Sequence, residues 1–286
     1  MKPNDTGTAA VSSARAIATD ELGIEYGVYG DFRMRNLFKT AFTCDGVALT
    51  PAAMESVLAP FRNGERSPFA AFLDTVSAAD RRLVADMLGL LQLANHRHLS
   101  ASDLPMIFTM EAPARSETAA RIFEKLAFMT AEIELGVIRG DRLVCQIAAA
   151  RNTRELLAAA DRMRALGIRV ALRLGGRDQP DAGAIERLRP DLVRIDRSLI
   201  EQAGRSTSTA QLYHSVVAGL QDQGMRVLVE GVDTAQHLDI AIASQADLLQ
   251  GDHLHCDQAV GCVPDLAARP LASLRPREAQ VIRLFG

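Results

Sequence analysis

Three carboxylates, Glu55, Asp196 and Glu230, stand at or near the ends of short apolar runs, in ESVLA, LVRID and RVLVEGV. Runs of the same kind end near Thr109, Gln146, Arg173, Leu174, Arg194 and Gln250. If one fold gathers these ends, the chemistry on offer is that of a polar pocket with acids, amides and two guanidinium groups. Hard divalent cations such as Mg²⁺ or Mn²⁺ require several carboxylate or water oxygens. Three acids interleaved with two arginines are poorly suited to that task, so no metal and no cofactor is expected.

Histidine and cysteine add little. His253 and His255 lie two apart in a run read as a strand, with His237 nearby in sequence. Zinc needs three or four ligands, so these are read as core or surface histidines. The four cysteines, Cys44, Cys145, Cys256 and Cys262, form no CxxC pair. Cys145 and Cys256 fall in apolar or strand-like runs and are expected to be buried, inert thiols in a reduced, cytoplasmic setting.

The elements that must position the polar set alternate in kind. Candidate strands are FKTAFTC, ESVLA, MIFTM, LVCQIA, RVALRL, LVRID, RVLVEGV and DLLQGDHL. Between them lie helical patterns, AADRRLVADMLGLLQLANHR, SETAARIFEKLAFMTAEIELG and NTRELLAAADRMRALG. In the last, Asn152 or Thr153 can cap the start and Gly167 follows the final turn. Strands spaced by helices imply βα units and a mostly parallel sheet. Eight strand candidates in 286 residues favour a closed TIM-like (β/α)8 barrel over an open sheet. The GxGxxG turn of a dinucleotide-binding fold is missing.

Barrels of this kind place chemistry at the C-terminal strand ends, which is where the polar set falls. Residues 1–20 read as a flexible leader, 21–265 as the barrel, and 266–286 as a tail. The tail's Val281, Ile282, Leu284 and Phe285 lie on one side of a short amphipathic helix. SLRPREAQVIRLFG looks like the opening helix of LuxR-type helix-turn-helix domains, but the chain stops before any recognition helix. A net charge of −3 and the lack of long apolar runs leave neither nucleic acid nor membrane as an expected partner.

Three stretches in order resemble the EAL domain family, whose members hydrolyse cyclic di-GMP. RVLVEGVDTAQHL resembles the family's AEGVET stretch, LLQGDHL its QGY stretch, and RPDLVRIDRSLI its KIDRSFI strand with Arg194 in the lysine place. More loosely, KTAFTCDGVALTPAAMESVLAPFRNGERSPFAAFL resembles the region carrying the EAL tripeptide, here Glu55-Ser56-Val57. The resemblance covers about residues 30–265.

It implies an EAL-type barrel and hydrolysis in which two cations clamp a phosphate and activate water. On that footing Glu55, Glu230, Gln250, Arg194 and Asp196 are the remnant of the family site. Other positions depart from it. The family's asparagine falls at Thr109 or Met110, its ExTE acids at Gln146 and Ala149, and its aspartate pair at Arg173 and Leu174. The glutamine of YQP appears as Thr43, and the arginine of EALLRW as Ala59.

A guanidinium cannot be deprotonated in a protein, so Arg173 opposes a dication at any pH. The sequence therefore predicts a non-enzymatic EAL-like domain that regulates through protein–protein contact or self-association. Arg173 is expected to pair with Glu55, Glu230 or Asp196. A receptor that binds cyclic di-GMP without hydrolysis is the alternative. An active enzyme that recruits Asp178, Asp196 or Asp233 is the third reading.

Overall fold

The computed structural model describes residues 16–98, 103–110, 129–131, 133, 139–147, 153–175 and 182–275. Its strands are β1 (Ile17–Thr19), β2 (Glu25–Tyr29), β3 (Phe32–Cys44), β4 (Ala48–Arg62), β5 (Glu65–Arg66), β6 (Met106–Met110) and β7 (Leu143–Ile147). They continue with β8 (Arg169–Leu174), β9 (Leu192–Ile195), β10 (Arg226–Val229), β11 (Leu248–Leu249), β12 (Gln258–Ala259) and β13 (Arg269–Pro270). Eight of these close a barrel in the order β3–β11–β10–β9–β8–β7–β6–β4, sealed by the β3–β4 pairing. All eight runs read as strands from the sequence are barrel staves.

One stave runs backwards. β3 is antiparallel to both of its barrel neighbours, β4 and β11, whereas the other staves pair in parallel. The cause is local: β3 and β4 form a hairpin whose turn is Asp45-Gly46. Asp45 Oδ1 accepts the backbone N–H groups of Val47 (2.8 Å) and Ala48 (2.7 Å), and Gly46 takes φ 88°. Asp-Gly between two apolar alternating runs is a strong hairpin signal.

Side chains alternate across a strand, so every second residue of each stave points to the axis. Ala41, Ala53, Ile107, Val144, Ala171, Leu192, Leu228 and Leu248 fill the barrel interior, one from each stave. On the outer surface two larger apolar clusters lie between staves and helices. The helices bounded among the described residues are α1 (Phe69–Thr75), α2 (Arg81–Ala94), α3 (Thr153–Ala165), α4 (Ala182–Leu188), α5 (Arg197–Ala203), α6 (Thr207–Asp222), α7 (Ala235–Ala243) and α8 (Leu271–Leu274). α3 runs from Thr153, and Gly167 follows it with φ 77°, as its sequence predicts. The pattern read over 116–136 lies mostly outside the described residues.

β3 and β4 extend past the barrel to form an arm with β1, β2 and β5. One face of the arm buries Phe32, Met34 and Leu58 against Phe72, Val84, Met87 and Leu91 of α1 and α2. A buried amide network ties the layers. Asn95 receives the Glu25 N–H (3.0 Å) and donates to Glu25 O (2.7 Å) and Asn36 Oδ1 (3.0 Å), while Asn36 donates to Ser56 Oγ (2.8 Å).

Several expectations at the ends of the chain change. β1 lies within the stretch read as a flexible leader, paired to β2. In the tail, β13 pairs with Ala48 and Leu49 of β4. Val281, Ile282, Leu284 and Phe285 lie outside the described residues. Cys256 is exposed rather than buried, because β11 ends at Leu249 and the chain turns before reaching it, whereas Cys145 is buried as expected. For the same reason His253 lies in a turn and His255 just after it, and neither is in a strand. His253 Nε2 instead lies 2.7 Å from the Leu274 carbonyl.

Candidate functional site

The next inward-facing position beyond each interior residue is polar. Moving two residues toward the C-terminal end of each parallel stave gives Glu55, Thr109, Gln146, Arg173, Arg194, Glu230 and Gln250. Moving two residues back along the reversed β3 gives Lys39, which is paired in register with Glu55. A barrel with an apolar plug and a polar collar results. The collar opens into a cavity of about 570 Å³, lined by four basic side chains (Lys39, Arg173, Arg194, Arg197) and six carboxylates.

Two arginines neutralise the acids. Arg194, only 4% exposed, places Nη2 2.6 Å from Glu55 Oε1. Its Nε lies 2.6 Å from Glu230 Oε1, an ion pair out of hydrogen-bond alignment. Arg173 Nη2 donates to the other Glu230 oxygen at 2.6 Å and sits 2.9 Å from Asp196 Oδ2. One continuous chain of alternating charge, Glu55–Arg194–Glu230–Arg173–Asp196, thus spans the mouth. Burial acts to lower the Arg194 pKa, but Glu230 and Glu55 outweigh it and raise it above the ordinary arginine value. Burial likewise opposes ionisation of Asp196. The hydrogen bonds from Ser198 and the charges of Arg173 and Arg197 hold it below the usual carboxylate range.

The backbone explains how Asp196 comes within reach. It caps α5 by accepting the Ser198 N–H at 2.9 Å. β8 exits through Gly175 at φ 107°, where a Cβ would stand 2.7 Å from Asp196 Cβ, so only glycine permits this approach. Gly251 serves β11 similarly, since a Cβ there would lie 2.3 Å from the Val232 backbone.

Of the residues read from sequence, Glu55, Arg173, Arg194, Asp196, Glu230 and Gln250 meet in one cavity. Asp233 also lines it, but is engaged by Arg197. Thr109 and Gln146 belong to the inward-facing set, paired to each other across β6 and β7, without lining the cavity. Leu174 does not face the mouth: one residue beyond Arg173, it turns outward and packs in the apolar cluster beneath the helices. Thr43, matched by resemblance to the glutamine of YQP, is not at the mouth. It sits at the hairpin end of β3, donating to Thr50 O at 3.3 Å, away from the collar. Ala59 is buried in the arm, outside the cavity lining. Asp178 and Ala149 lie outside the described residues.

The sequence reading missed Lys39, which contacts Asp257 (3.2 Å) and Asp252 (3.5 Å). Burial works to lower its pKa, but these acids raise it on balance. The Asp45-Gly46 hairpin signal carried the information, because a reversed β3 brings its middle, not its end, to the mouth.

A pair of divalent cations does not fit this collar. Each of the collar acids Glu55, Glu230 and Asp196 has a guanidinium contact at 2.6–2.9 Å. Among the described residues no group of three or more His, Cys, Asp or Glu is placed to hold a metal.

An eight-stranded α/β barrel with one reversed stave and a polar C-terminal mouth is the class that fold and site define. The chain belongs to the EAL domain family, whose model matches residues 69–255. Over 100 residues it is 26% identical to the cyclic di-GMP phosphodiesterase NbdA of Pseudomonas aeruginosa, covering 35% of this chain and 13% of that relative. Solved structures share the fold at low identity. The EAL-domain protein YkuI of Bacillus subtilis, in complex with substrate cyclic di-GMP and calcium, superposes with TM-score 0.65 at 18% identity, over 79% of this chain and 56% of that one. The FimX EAL domain of Pseudomonas aeruginosa bound to cyclic di-GMP gives TM-score 0.65 and 18% identity, over 82% and 94%. Among the described residues no helix is long and apolar enough to cross a membrane.

Proposed function

We propose that this protein is a catalytically inactive EAL-domain regulator, working in the cytoplasm through protein–protein contacts in a cyclic di-GMP-related pathway. The observation that carries this reading is the ion-pair chain Glu55–Arg194–Glu230–Arg173–Asp196. Two-metal hydrolysis needs free carboxylate oxygens to hold cations that activate water and steady the phosphate. Here those acids are committed to permanent cations, and an incoming dication meets repulsion that burial leaves poorly screened. Four free cysteines suit a reducing compartment.

Incubation with cyclic di-GMP and Mn²⁺, followed by chromatography for the linear dinucleotide, tests the reading. No product above the uncatalysed background is expected. Sustained turnover abolished by Glu55→Ala would overturn it.

One observation favours a second reading, a receptor that binds cyclic di-GMP without cleaving it. The cavity is roomy, and Arg173 and Arg197 are 45% and 50% exposed at its rim, where arginine can meet phosphate. Calorimetry with the dinucleotide, with and without divalent cation, separates the two. Saturable heat without Mn²⁺ would make the protein a receptor.

A further inference from the structure

The hairpin of β3 and β4 is longer than barrel closure requires, pairing from Phe32↔Arg62 to Cys44↔Leu49. β4 runs parallel to β6, so its residues beyond Glu55 continue past the barrel mouth. The arm's even face is closed by α1 and α2. Its other face, the one continuous with Glu55 and Lys39, is left open at its far end by the described residues.

That open face is basic and aromatic. Val28, Arg33, Phe61 and Arg66 form one rung across four strands, and Arg35 occupies the adjacent rung opposite Ala59. The Arg35 guanidinium lies over the Phe61 ring, 5.7 Å from its centroid. Arg33 donates only to backbone, to Gly30 O (3.1 Å) and Phe32 O (3.0 Å). Both arginines are exposed, and among the described residues neither has a carboxylate partner. Arg66 differs, being paired with Asp257 at 2.8 Å. Around these cations Val28, Tyr26 and Phe61 are half-buried.

We infer that this arm face docks an acidic peptide segment of a partner protein, with an apolar or aromatic side chain seated beside Phe61. The inference rests on the protein-contact reading and names the chemistry of the partner. Charge complementarity supports it: Arg33 and Arg35, exposed and without a carboxylate partner among the described residues, share one strand face beside the Phe61 ring. Carboxylates are matched by the guanidinium fork, and arginine beside an aromatic ring is a frequent energetic centre of interfaces. A long polyanion fits less well. Tracking down the face from Arg35, it would reach a mouth where six carboxylates outnumber four cations. A short acidic segment avoids that repulsion.

The test pans phage-displayed random peptides against the full chain, counter-selecting on the double variant Arg33→Glu/Arg35→Glu. Enriched peptides should carry at least two Asp or Glu flanking an aromatic residue or leucine. A synthetic, fluorescently labelled version should bind the parent chain and lose at least about tenfold in affinity on the double variant. A similar loss is expected in about 0.5 M salt, as for steered charge contacts. If the double variant fails to fold by circular dichroism, Arg33→Gln/Arg35→Gln replaces it, with the same tenfold criterion. Neutral or basic consensus peptides, binding indifferent to either variant, or equal competition by a single-stranded oligonucleotide would overturn the assignment. Turnover of cyclic di-GMP would sink the inactive reading without moving this titration. Peptide binding that ignores both arginines would sink this face alone.

Discussion

Two pairs of arginines on the same hairpin-and-barrel surface are handled in opposite ways. At the mouth, Arg194 and Arg173 are held between Glu55, Glu230 and Asp196 at 2.6–2.9 Å. On the arm, among the described residues, Arg33 meets carbonyl oxygens and Arg35 an aromatic ring, and neither meets a carboxylate. For Arg194, 4% exposed, the contrast follows from water; Arg173, 45% exposed, is held because Glu230 and Asp196 both lie within its reach. A cation taken out of solvent must find its anions within the fold, because desolvation costs several kcal/mol per ion. A cation left in solvent needs no partner and gains little from one. The mouth is therefore a closed electrostatic unit, and the arm face is an open one.

That contrast breaks first at Arg194. Replacing it by methionine leaves Glu55 and Glu230, each 10% exposed in its side chain, as buried carboxylates lacking their shared cation. Breaking a buried pair in this way costs about 3–5 kcal/mol. Urea titration monitored by circular dichroism should show the midpoint falling accordingly. A loss no larger than a surface substitution would mean that water already reaches these acids.

Asn95→Ala comes next and probes the arm's attachment rather than its open face. It leaves the Glu25 backbone groups and Asn36 Oδ1 without their amide partner at a site where Asn95 is 0% exposed. About 1–3 kcal/mol should be lost, as for stranded buried polar groups. Hydrogen exchange should locate the loosening in β2 and the end of α2, with the mouth unaffected.

Arg173→Ala should cost less than Arg194→Met, on the order of 1 kcal/mol, because Arg173 is 45% exposed and solvent screens its pairs. Its signature is acid sensitivity. The folded pKa of Asp196 is depressed, with burial opposing and Ser198 and Arg173 prevailing. The carboxylate therefore stabilises the fold fully above the unfolded value of 3.8 and loses that contribution as pH falls through the folded value. Removing Arg173 should shrink the acid-side drop in melting temperature below about pH 4. An identical acid limb in both proteins would show that Ser198 and Arg197 hold the shift without Arg173.

The barrel was legible because its signal is periodic. Alternation marks a stave, and the residue two positions beyond an apolar interior residue must face the mouth, so Glu55, Arg173, Arg194, Glu230 and Gln250 could be read off together. Chain direction is not periodic. FKTAFTC alternates equally well in either sense, so Lys39 was overlooked; only Asp45-Gly46 encodes the reversal. Leu174 was grouped with Arg173 by adjacency, although neighbours on a strand face opposite sides. His253 and His255 were read into a strand that ends at Leu249. The sequence narrowed the partners of Arg173 to Glu55, Glu230 or Asp196, and Glu230 and Asp196 are the two it takes; only the choice among the three was hidden, because Asp196 and Glu230 approach through β9 and β10, 23 and 57 positions along the chain.

The smallest expected effect is on the arm, and its smallness is the point. Arg35→Ala removes a cation–π contact at an exposed site, worth about 0.5–1 kcal/mol at most. Chemical denaturation should place it within about 1 kcal/mol of the parent chain, several-fold below Arg194→Met. If Arg35→Ala instead destabilises the fold as strongly as Arg194→Met, this guanidinium is a structural member like those at the mouth. It would then have an intramolecular anion to answer to, and the division between a closed cluster and an open face would collapse. A near-neutral outcome leaves an exposed cation that folding does not require, the condition under which a surface charge is free to serve recognition.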